Sequence, residues 1–379
     1  MKNKGFTLVE LLAIIVIISV ITLITIPIVK NIIDESKENT AINSAYGFKE
    51  AVHDYYIDST LDEEINLEGI YTVSNGTING PSVSSVAMQV KGTKPTAGRL
   101  IYKNSEMISG CLEIEGYKIR YVDEQFMSDG KGTCTPNFQE DSWDVIKKTI
   151  ELDKTAYAIG STKTVKMNLD GTERTYTLRL VNTSSPAACD GLGFSKTACG
   201  VIIEFVTTIG NYPYYATKPA SGAENTGWEG STIRATLNSG NNSIYSKLPE
   251  DLRAVMIPVD PIVSSSASAG TSPNTLGDYL FIESPKEVNS TAGSGCNNIT
   301  NGTSCDNKAN LSRPLDYYAN GGNRIKYTVA GDPTETWTRS MYYSNTTTAW
   351  YFNTSAGTAG SRYDLDKSIG VAPAFKIAN

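Results

Sequence analysis

The sequence predicts an α+β protein in which a long N-terminal helix packs on a small antiparallel sheet and precedes a larger, loop-rich, mainly β domain. Three patterns support this class: an uncharged apolar run, an amphipathic continuation of it, and many short β-forming segments between turns. The length of 379 residues is too great for one compact core. We therefore divide the chain into an N-terminal stub (1–5), a hydrophobic stalk helix (6–57), a first β head (58–140), a connector (141–154) and a second domain (155–379).

The apolar run is long enough to cross a membrane. The segment Leu11–Val29 carries no charge and would extend about 28 Å as a helix, close to the thickness of the hydrocarbon core of a bilayer. Lys2 and Lys4 precede it and would remain on the cytoplasmic side, so we expect the bulk of the chain outside. A cleaved secretory signal is disfavoured because no small-x-small site follows the run. A plain single-pass anchor stays open, although it does not explain the carboxylate of Glu10.

The residues around Glu10 carry a resemblance. The stretch KGFTLVELL resembles the prepilin signal of type IV pilins and pseudopilins. The resemblance implies that a prepilin peptidase cuts after Gly5 and methylates the new N-terminal residue, Phe6. Glu10 and Pro27 then become the fifth and twenty-second residues of the mature chain, as in the family pattern. It also implies other pilin subunits and the pilus assembly machinery as partners, and a route from the cell membrane to an extracellular pilus.

Electrostatics gives Glu10 a role in assembly. In the apolar core of a filament the ammonium group of Phe6 would be unpaired, and burying either charge alone is costly. Glu10 of a neighbouring subunit would neutralise that charge and set the axial step between subunits. Pro27 lacks a backbone N–H, so we expect a kink or a local loss of helix there.

Beyond the membrane segment, the helix is predicted to support the first head. Apolar residues recur at intervals of four and three and so form one helix face: Ala41, Ala45, Phe48, Val52 and Tyr55. Four or five short strands are expected after it, at 69–73, 86–90, 98–102, 111–114 and 117–121. We expect the apolar face to pack on their sheet.

The six cysteines predict an oxidising compartment. We expect three disulfides, and the short loops that they would enclose favour the pairs Cys111–Cys134, Cys189–Cys199 and Cys296–Cys305. Buried free thiols are the alternative.

The second domain contains few regular segments. We expect a short helix at 143–152 in the connector, a hairpin of 164–167 with 175–181 about Asp170-Gly171, and strands at 200–207 and 280–283. Loops rich in Ser, Gly, Asn and Thr lie between them, at 219–231, 264–277 and 289–310. Loops of this length inside a domain usually indicate function or flexibility.

This domain carries a second resemblance. Its phrases resemble an uncharacterised family of extracellular domains in Gram-positive and related bacteria: GWEGSTIRATLN (227–238), YSKLPEDL (245–252), SRPLDYY (312–318), WTRS (337–340) and GVAPAFKI (370–377). A second aromatic usually stands beside the tryptophan of that motif, whereas Thr336 and Thr338 flank Trp337 here. The arrangement is similar in outline to C-type-lectin-like folds, which would make four side chains internal scaffold: Trp228, Arg234, Arg313 and Arg339.

The stretch 341–363 has the composition of an adaptable recognition surface, with many Tyr, Asn, Ser and Thr residues. One interpretation is an exposed face that binds a host or surface glycan or protein, formed by Tyr342, Tyr343, Asn345, Trp350, Tyr351 and Asn353. The other is a polar β-hairpin with an alternating aromatic ladder.

Composition restricts the remaining chemistry. A net charge of −7 without a basic stripe argues against nucleic acid as a partner. The single histidine, His53, lies on the stalk and removes most catalytic triads and histidine-bearing metal sites. No phosphate-binding loop, HExxH, GxSxG or CxxC motif occurs, so the sequence predicts no enzyme, no cofactor and no metal. Paired carboxylates for glycoside hydrolysis stay open because they need not be adjacent.

The preferred interpretation is a type IV pilin-like filament subunit, minor or at the tip, that displays an extracellular adhesion domain. A second domain of this size would be bulky to repeat along a thin fibre. A pseudopilin of a secretion or DNA-uptake machine is the first alternative. A surface-anchored enzyme exported by the pilin route is the second.

Overall fold

The computed structural model describes residues 8–60, 67–122, 124–169, 171–185, 199–220, 227–261, 276–288, 314–341, 347–355 and 361–379. The chain divides into two compact units, unit 1 (Met1–Thr135) and unit 2 (Pro136–Asn379). Each unit has its own hydrophobic core.

Unit 1 begins with one long helix, α1 (Leu8–Thr60), of 53 residues. The hydroxyls of Ser19, Thr22 and Thr25 donate to the carbonyl oxygen four residues earlier at 2.7–2.8 Å. These bonds satisfy the hydroxyls inside the apolar run without a partner outside the helix. The helix continues through Pro27, so the local loss of helix expected there does not occur. A proline removes one N–H donor, and the remaining ladder of a long helix tolerates that loss.

The sheet of unit 1 has seven antiparallel strands among its described residues. They are β1 (Gly69–Ser74), β2 (Thr77–Gly80), β3 (Val83–Ala87), β4 (Ala97–Lys103), β5 (Glu106–Ile114), β6 (Tyr117–Val122) and β7 (Gln125–Lys131). Their order is β3-β2-β1-β4-β5-β6-β7. The prediction of four or five strands omitted β2 and β7, because Asn79-Gly80 and Asp129-Gly130 lower the strand propensity of these segments.

The predicted apolar face of α1 packs on this sheet. Ala41, Ala45, Phe48 and Val52 are buried in the core of unit 1, and α1 lies against β5, β6 and β7. Gly47 permits a close approach at the edge of this face, since a Cβ at that position would lie 2.3 Å from the carbonyl oxygen of Lys91. The helix therefore forms part of the core of the head as well as the stalk.

One of the favoured disulfides lies within unit 1. Cys111 of β5 is bonded to Cys134, beyond β7, with Cα atoms 5.5 Å apart. Cys199 is also disulfide-bonded. Cys189, Cys296 and Cys305 lie outside the described residues, so the pairs Cys189–Cys199 and Cys296–Cys305 remain predictions.

Unit 2 combines short helices with two main sheets. The helices in its described part are α2 (Trp143–Leu152), α3 (Thr232–Asn238), α4 (Ile244–Lys247), α5 (Glu250–Val255) and α6 (Asp316–Ala319). The strands are β8 (Thr162–Asn168), β9 (Glu173–Asn182), β10 (Val201–Phe205), β11 (Asn211–Pro213), β12 (Phe281–Ile282), β13 (Lys326–Tyr327), β14 (Pro333–Thr334), β15 (Thr336–Met341), β16 (Thr348–Phe352), β17 (Ser361–Asp364), β18 (Ser368–Gly370) and β19 (Pro373–Ala378).

The two main sheets have the orders β12-β19-β10-β9-β8 and β11-β18-β15-β16-β17, and β13 pairs with β14. Pairing is antiparallel except between β15 and β18. The expected helix at 143–152 is α2, and the expected hairpin is β8–β9. Every residue of β19 is buried, and its Phe375 ring contacts Trp143 and Phe205 edge-on. The C-terminal strand is thus central to the core of unit 2.

Candidate assembly helix, buried charge cluster and binding cleft

The apolar run of α1 is uncovered within the chain. The described side chains from Leu11 to Val29 are exposed, and this segment carries no charged residue. Among the described residues, this helix is long and apolar enough to cross a membrane. A helix that is apolar all round is stable in lipid or against other apolar helices. The chain therefore presents a surface that requires one of those environments.

The residues of the predicted processing signal are only partly described. Gly5 and Phe6 lie outside the described residues, and Glu10 lies within α1. Pro27 is exposed in the middle of the apolar segment. The pairing of Glu10 with Phe6 of another subunit stays a prediction.

Three of the four side chains expected as scaffold are internal to unit 2. Trp228 and Arg339 are buried, and Arg234 is largely buried. Trp228 Nε1 donates to Asp278 Oδ2 at 2.8 Å, and Arg234 Nε donates to Asp278 Oδ1 at 2.9 Å. Burial raises the pKa of Asp278, and the Trp228 and Arg234 donors only partly oppose it. Arg313 lies outside the described residues.

Arg339 forms a bidentate pair with Glu287 in the interior of unit 2. The Nη1 atom lies 2.6 Å from Oε2 and the Nη2 atom 2.7 Å from Oε1, and both side chains are fully buried. Glu287 Oε2 also accepts the backbone N–H of Ser284 at 3.0 Å. The fork geometry fixes the segment after β12 against β15.

A second group of buried charges was not anticipated from the sequence. We call it the central cluster; its members are Arg179, Glu204, Glu283, Tyr318 and Lys326. Glu204 accepts bonds from all three donors of the cluster: Oε1 pairs with Arg179, and Oε2 accepts from Lys326 Nζ and the Tyr318 hydroxyl, both at 2.5 Å. Lys326 Nζ also lies 3.1 Å from Glu283 Oε2. The sequence contains one sign of this cluster: Glu204 is a charged residue within the apolar stretch VIIEF, and a charge buried in such a strand needs a partner.

The two carboxyl groups of the central cluster have opposite electrostatic environments. Burial would raise the pKa of Glu204, but Arg179 and Lys326 outweigh it and hold that pKa well below its usual value. Burial and the neighbouring Glu204 carboxylate raise the pKa of Glu283 well above its usual value, and Lys326 opposes this only partly. Burial, followed by Glu204, likewise raises the pKa of Tyr318. Glu204 is therefore the carboxyl group of the pair that ionises more readily, and Glu283 the one that retains a proton more readily.

The expected exposed face at 342–353 does not form at its described positions. Trp350 and Tyr351 of β16 are 4% and 7% exposed, because β16 lies inside the second sheet between β15 and β17. Tyr351 stacks on Tyr363 of β17 with ring centroids 3.9 Å apart, as the aromatic-ladder interpretation expects. Asn353 is half-buried. Tyr342, Tyr343 and Asn345 lie outside the described residues.

Unit 2 instead has a cleft of about 350 Å³. Arg174 and Tyr176 of β9 line it together with Thr208, Asn211 and Thr328. Ile209, Val329 and Ala330 also line the cleft, so its lining mixes polar and apolar residues, as the lining of ligand sites commonly does.

Unit 1 has a cleft of about 320 Å³ lined by His53, Lys49, Tyr102 and Glu106, among others. Lys49 Nζ is engaged there with the Tyr121 hydroxyl at 2.7 Å. In the described part of the chain, no group of three His, Cys, Asp or Glu side chains could hold a metal ion.

An uncovered apolar helix that continues into the core of an antiparallel head defines a class of protein whose helix is inserted in a membrane or bundled with other apolar helices. Residues 1–26 match the prokaryotic N-terminal methylation motif. The fimbrial protein EcpC of Eikenella corrodens is 34% identical over 97 residues, which cover 24% of this chain and 58% of that relative. Together these findings support a type IV pilin-like protein.

The second unit gives a different result in the comparisons. Residues 208–379 match a domain of unknown function, DUF6273. This agrees with the resemblance to an uncharacterised family, whose quoted phrases run from 227 to 377. No solved structure matches the chain significantly. The C-type-lectin-like outline therefore stays a prediction.

Proposed function

We propose that this chain is a minor or tip subunit of a type IV pilus-like filament whose second unit binds a glycan or protein outside the cell. Before assembly it is anchored in the cell membrane by α1 with its C-terminus outside. The proposal rests on the exposed apolar helix α1, whose N-terminal part lies within the methylation motif matched at residues 1–26. The pilin-like character points to a structural subunit and not to an enzyme.

Assembly depends on neutralising two charges in an apolar bundle. Cleavage after Gly5 creates the ammonium group of Phe6, and Glu10 of an adjoining subunit supplies the counter-charge. The partners are therefore a prepilin peptidase, other pilin subunits and the assembly machinery. Packing of the exposed apolar side chains of α1 against neighbouring helices supplies the rest of the contact.

Two substitutions test this assignment. Gly5→Ala should leave an uncut precursor, and Glu10→Ala should be cut and methylated yet absent from filaments. Mass spectrometry of the mature N-terminus and immunogold labelling of sheared filaments measure the two outcomes. Glu35→Ala, an exposed glutamate of the same helix beyond the apolar run, is the matched control and should assemble normally. Normal incorporation of the Glu10→Ala chain would contradict the proposal.

The minor or tip position is supported by the size of unit 2, residues 136–379, which would have to be accommodated at every repeat of a major subunit. Immunogold labelling directed at unit 2 should give sparse or terminal labels. Dense labelling along the shaft would indicate a major subunit. Labels confined to the cell envelope, with no filament, would indicate a pseudopilin.

The cleft of unit 2 is the proposed ligand site. Binding to glycan arrays and mucins should identify a ligand, and Arg174→Ala with Asn211→Ala should weaken it about tenfold or more, since a hydrogen bond to a charged group contributes about 1.5–3 kcal/mol. Lys166→Ala on the adjacent strand is an exposed control that does not line the cleft. A ligand whose affinity is unchanged by the double substitution binds elsewhere.

A further inference from the structure

We propose that Lys326 and Glu283 become joined by an amide bond in the folded chain, with Glu204 as the catalytic residue. The bond is a covalent modification of unit 2 that does not depend on the proposed function. It would link the end of β12 to β13 and close a covalent loop from residue 283 to residue 326.

The geometry brings the reacting groups together. Lys326 Nζ lies 3.1 Å from Glu283 Oε2 and 2.5 Å from Glu204 Oε2, so one amine contacts both carboxyl groups. The side chains of Lys326, Glu204 and Glu283 are 1%, 0% and 1% exposed. Folding thus holds the amine beside the carboxyl group, so the entropy cost of bringing the two reactants together is already met.

The surroundings favour condensation over a permanent ion pair. Neither carboxyl oxygen of Glu283 makes a well-formed hydrogen bond within the described residues, although both are buried. A buried carboxyl in this condition is destabilised relative to water. Conversion to an amide removes one buried ammonium and one buried carboxyl group. It leaves Arg179 and Glu204 as a neutral, hydrogen-bonded pair.

The charges of the cluster match the needs of each step. Glu204 is held ionised by Arg179 and can accept a proton from the Lys326 ammonium across their 2.5 Å contact. The raised pKa of Glu283 favours the protonated form of its carboxyl group, and the carbon of a protonated carboxyl is a better electrophile than that of a carboxylate. Arg179 acts as a positioning residue because its guanidinium holds the Glu204 carboxylate.

The reaction balances without an oxidant or a second substrate. Glu204 takes one proton from Nζ, and the freed lone pair attacks Cδ of Glu283 to form the N–C bond. Glu204 then returns that proton to a Glu283 oxygen. After that, Nζ, which is now bonded to Cδ, loses its second proton to Glu204. The C–O bond then breaks and one water molecule leaves. The last proton departs from Glu204 with that water, because Arg179 favours the ionised carboxylate.

Two other buried cations of unit 2 serve as comparisons. Lys376 Nζ donates to the amide oxygen of Asn379 at 2.6 Å. Arg339 faces Glu287, but a guanidinium is not a nucleophile at neutral pH. Lys376 is therefore an internal reference for a buried lysine that stays unmodified.

Peptide mapping of the full-length wild-type chain tests the proposal. Trypsin should release 254–286, which contains Glu283, and should cut after Lys326 to release 327–339 if that lysine is free. The amide predicts that 254–286 appears joined to 325–339, with the cut after Lys326 lost and the mass lower by one water. Neither peptide contains cysteine, so a disulfide cannot produce the joined species. Recovery of separate, unmodified 254–286 and 327–339 from folded protein would overturn the proposal.

Variants assign the roles. Lys326→Arg keeps a positive charge but removes the nucleophile, and it should give only separate peptides. Glu204→Gln should fold, as judged by near-ultraviolet circular dichroism, and stay unlinked. Full linkage in Glu204→Gln would remove Glu204 from the chemistry. If either variant fails to fold, the wild-type peptide map decides the main question alone.

Discussion

At the scale of single residues, Arg339 and Glu287 show how buried charges hold the loop-rich unit together. Their bidentate pair is fully buried, and Glu287 also accepts a backbone N–H of the segment that it fixes. A pair of this kind contributes little net stability when intact, because desolvation offsets the attraction. Loss of one partner is costly, since the other is left buried and charged.

We expect Glu287→Ala to lower the free energy of unfolding by about 3–5 kcal/mol, because Arg339 would remain in the core without its counter-charge. Urea denaturation followed by tryptophan fluorescence measures the change. Glu173→Ala is the matched control: its partner Lys166 and Glu173 itself are largely exposed, so little change is expected. Equal stability of the two variants would contradict the assigned role of the buried pair.

We expect the ionisation of Asp278 to change the free energy of unfolding at mildly acidic pH. Its pKa is raised by burial from a usual value of 3.8, so the folded state binds the proton more tightly than the unfolded state. The stability contributed by this carboxyl group is greatest below that value and declines as pH rises through the folded pKa. Asp278→Asn still accepts from Trp228 but cannot titrate. Relative to wild type, the variant should gain stability as the pH rises above about 4, until the wild-type carboxyl group is ionised in the folded state, as measured by urea midpoints. A constant difference would refute this direction.

Residues that are adjacent in the chain could be predicted, and residues that only folding brings together could not. Gly5, Phe6, Glu10 and Pro27 form one local pattern, which the sequence displays whole. The members of the central cluster come from β9, β10, the end of β12, α6 and β13. Nothing in their spacing indicates that one carboxylate, Glu204, contacts them all. Only its position inside an apolar strand marks it as unusual.

At the scale of elements, periodicity determined which predictions held. The face from Ala41 to Val52 packs as expected because an amphipathic helix has one way to bury its stripe. Trp350 and Tyr351 were expected on an exposed face, and they are buried. An aromatic-rich strand has the same composition whether one face or both faces are covered, and β16 is covered by sheet neighbours that the sequence does not reveal.

The disulfide of unit 1 links a strand of the sheet covalently to the segment that follows the last strand of the sheet. Cys111 lies in β5 and Cys134 lies beyond β7, with a sequence separation of 23. Replacing both with serine should lower the unfolding free energy of unit 1 by about 2–4 kcal/mol, because the unfolded chain regains loop entropy. Thermal denaturation of the variant measures this. Wild-type protein with this bond reduced should show the same shift, and an unchanged transition in both would mean that the bond is dispensable.

At the scale of the whole molecule, the two units have separate hydrophobic cores, so their functions are expected to be separable. The core of unit 1 includes the face of α1 from Ala41 to Val52. The core of unit 2 includes the C-terminal strand β19. The net charge of −7 gives the chain no general attraction for nucleic acid or for an anionic surface. The recognition proposed for unit 2 would therefore depend on a shaped site such as its cleft.

A chain that ends at Thr135 tests this separation directly. It keeps the methylation motif, all of α1, the seven-stranded sheet and the Cys111–Cys134 bond, so we expect it to fold, to be cut after Gly5 and to enter filaments. Ligand binding should be lost, since the cleft belongs to unit 2. N-terminal mass spectrometry, filament labelling and the glycan screen measure the three outcomes. The same short chain with Glu10→Ala is the control and should stay in the membrane. A short chain that is cut and folded but excluded from filaments would place an assembly determinant in unit 2, and a short chain that retains the ligand would move the binding site to unit 1.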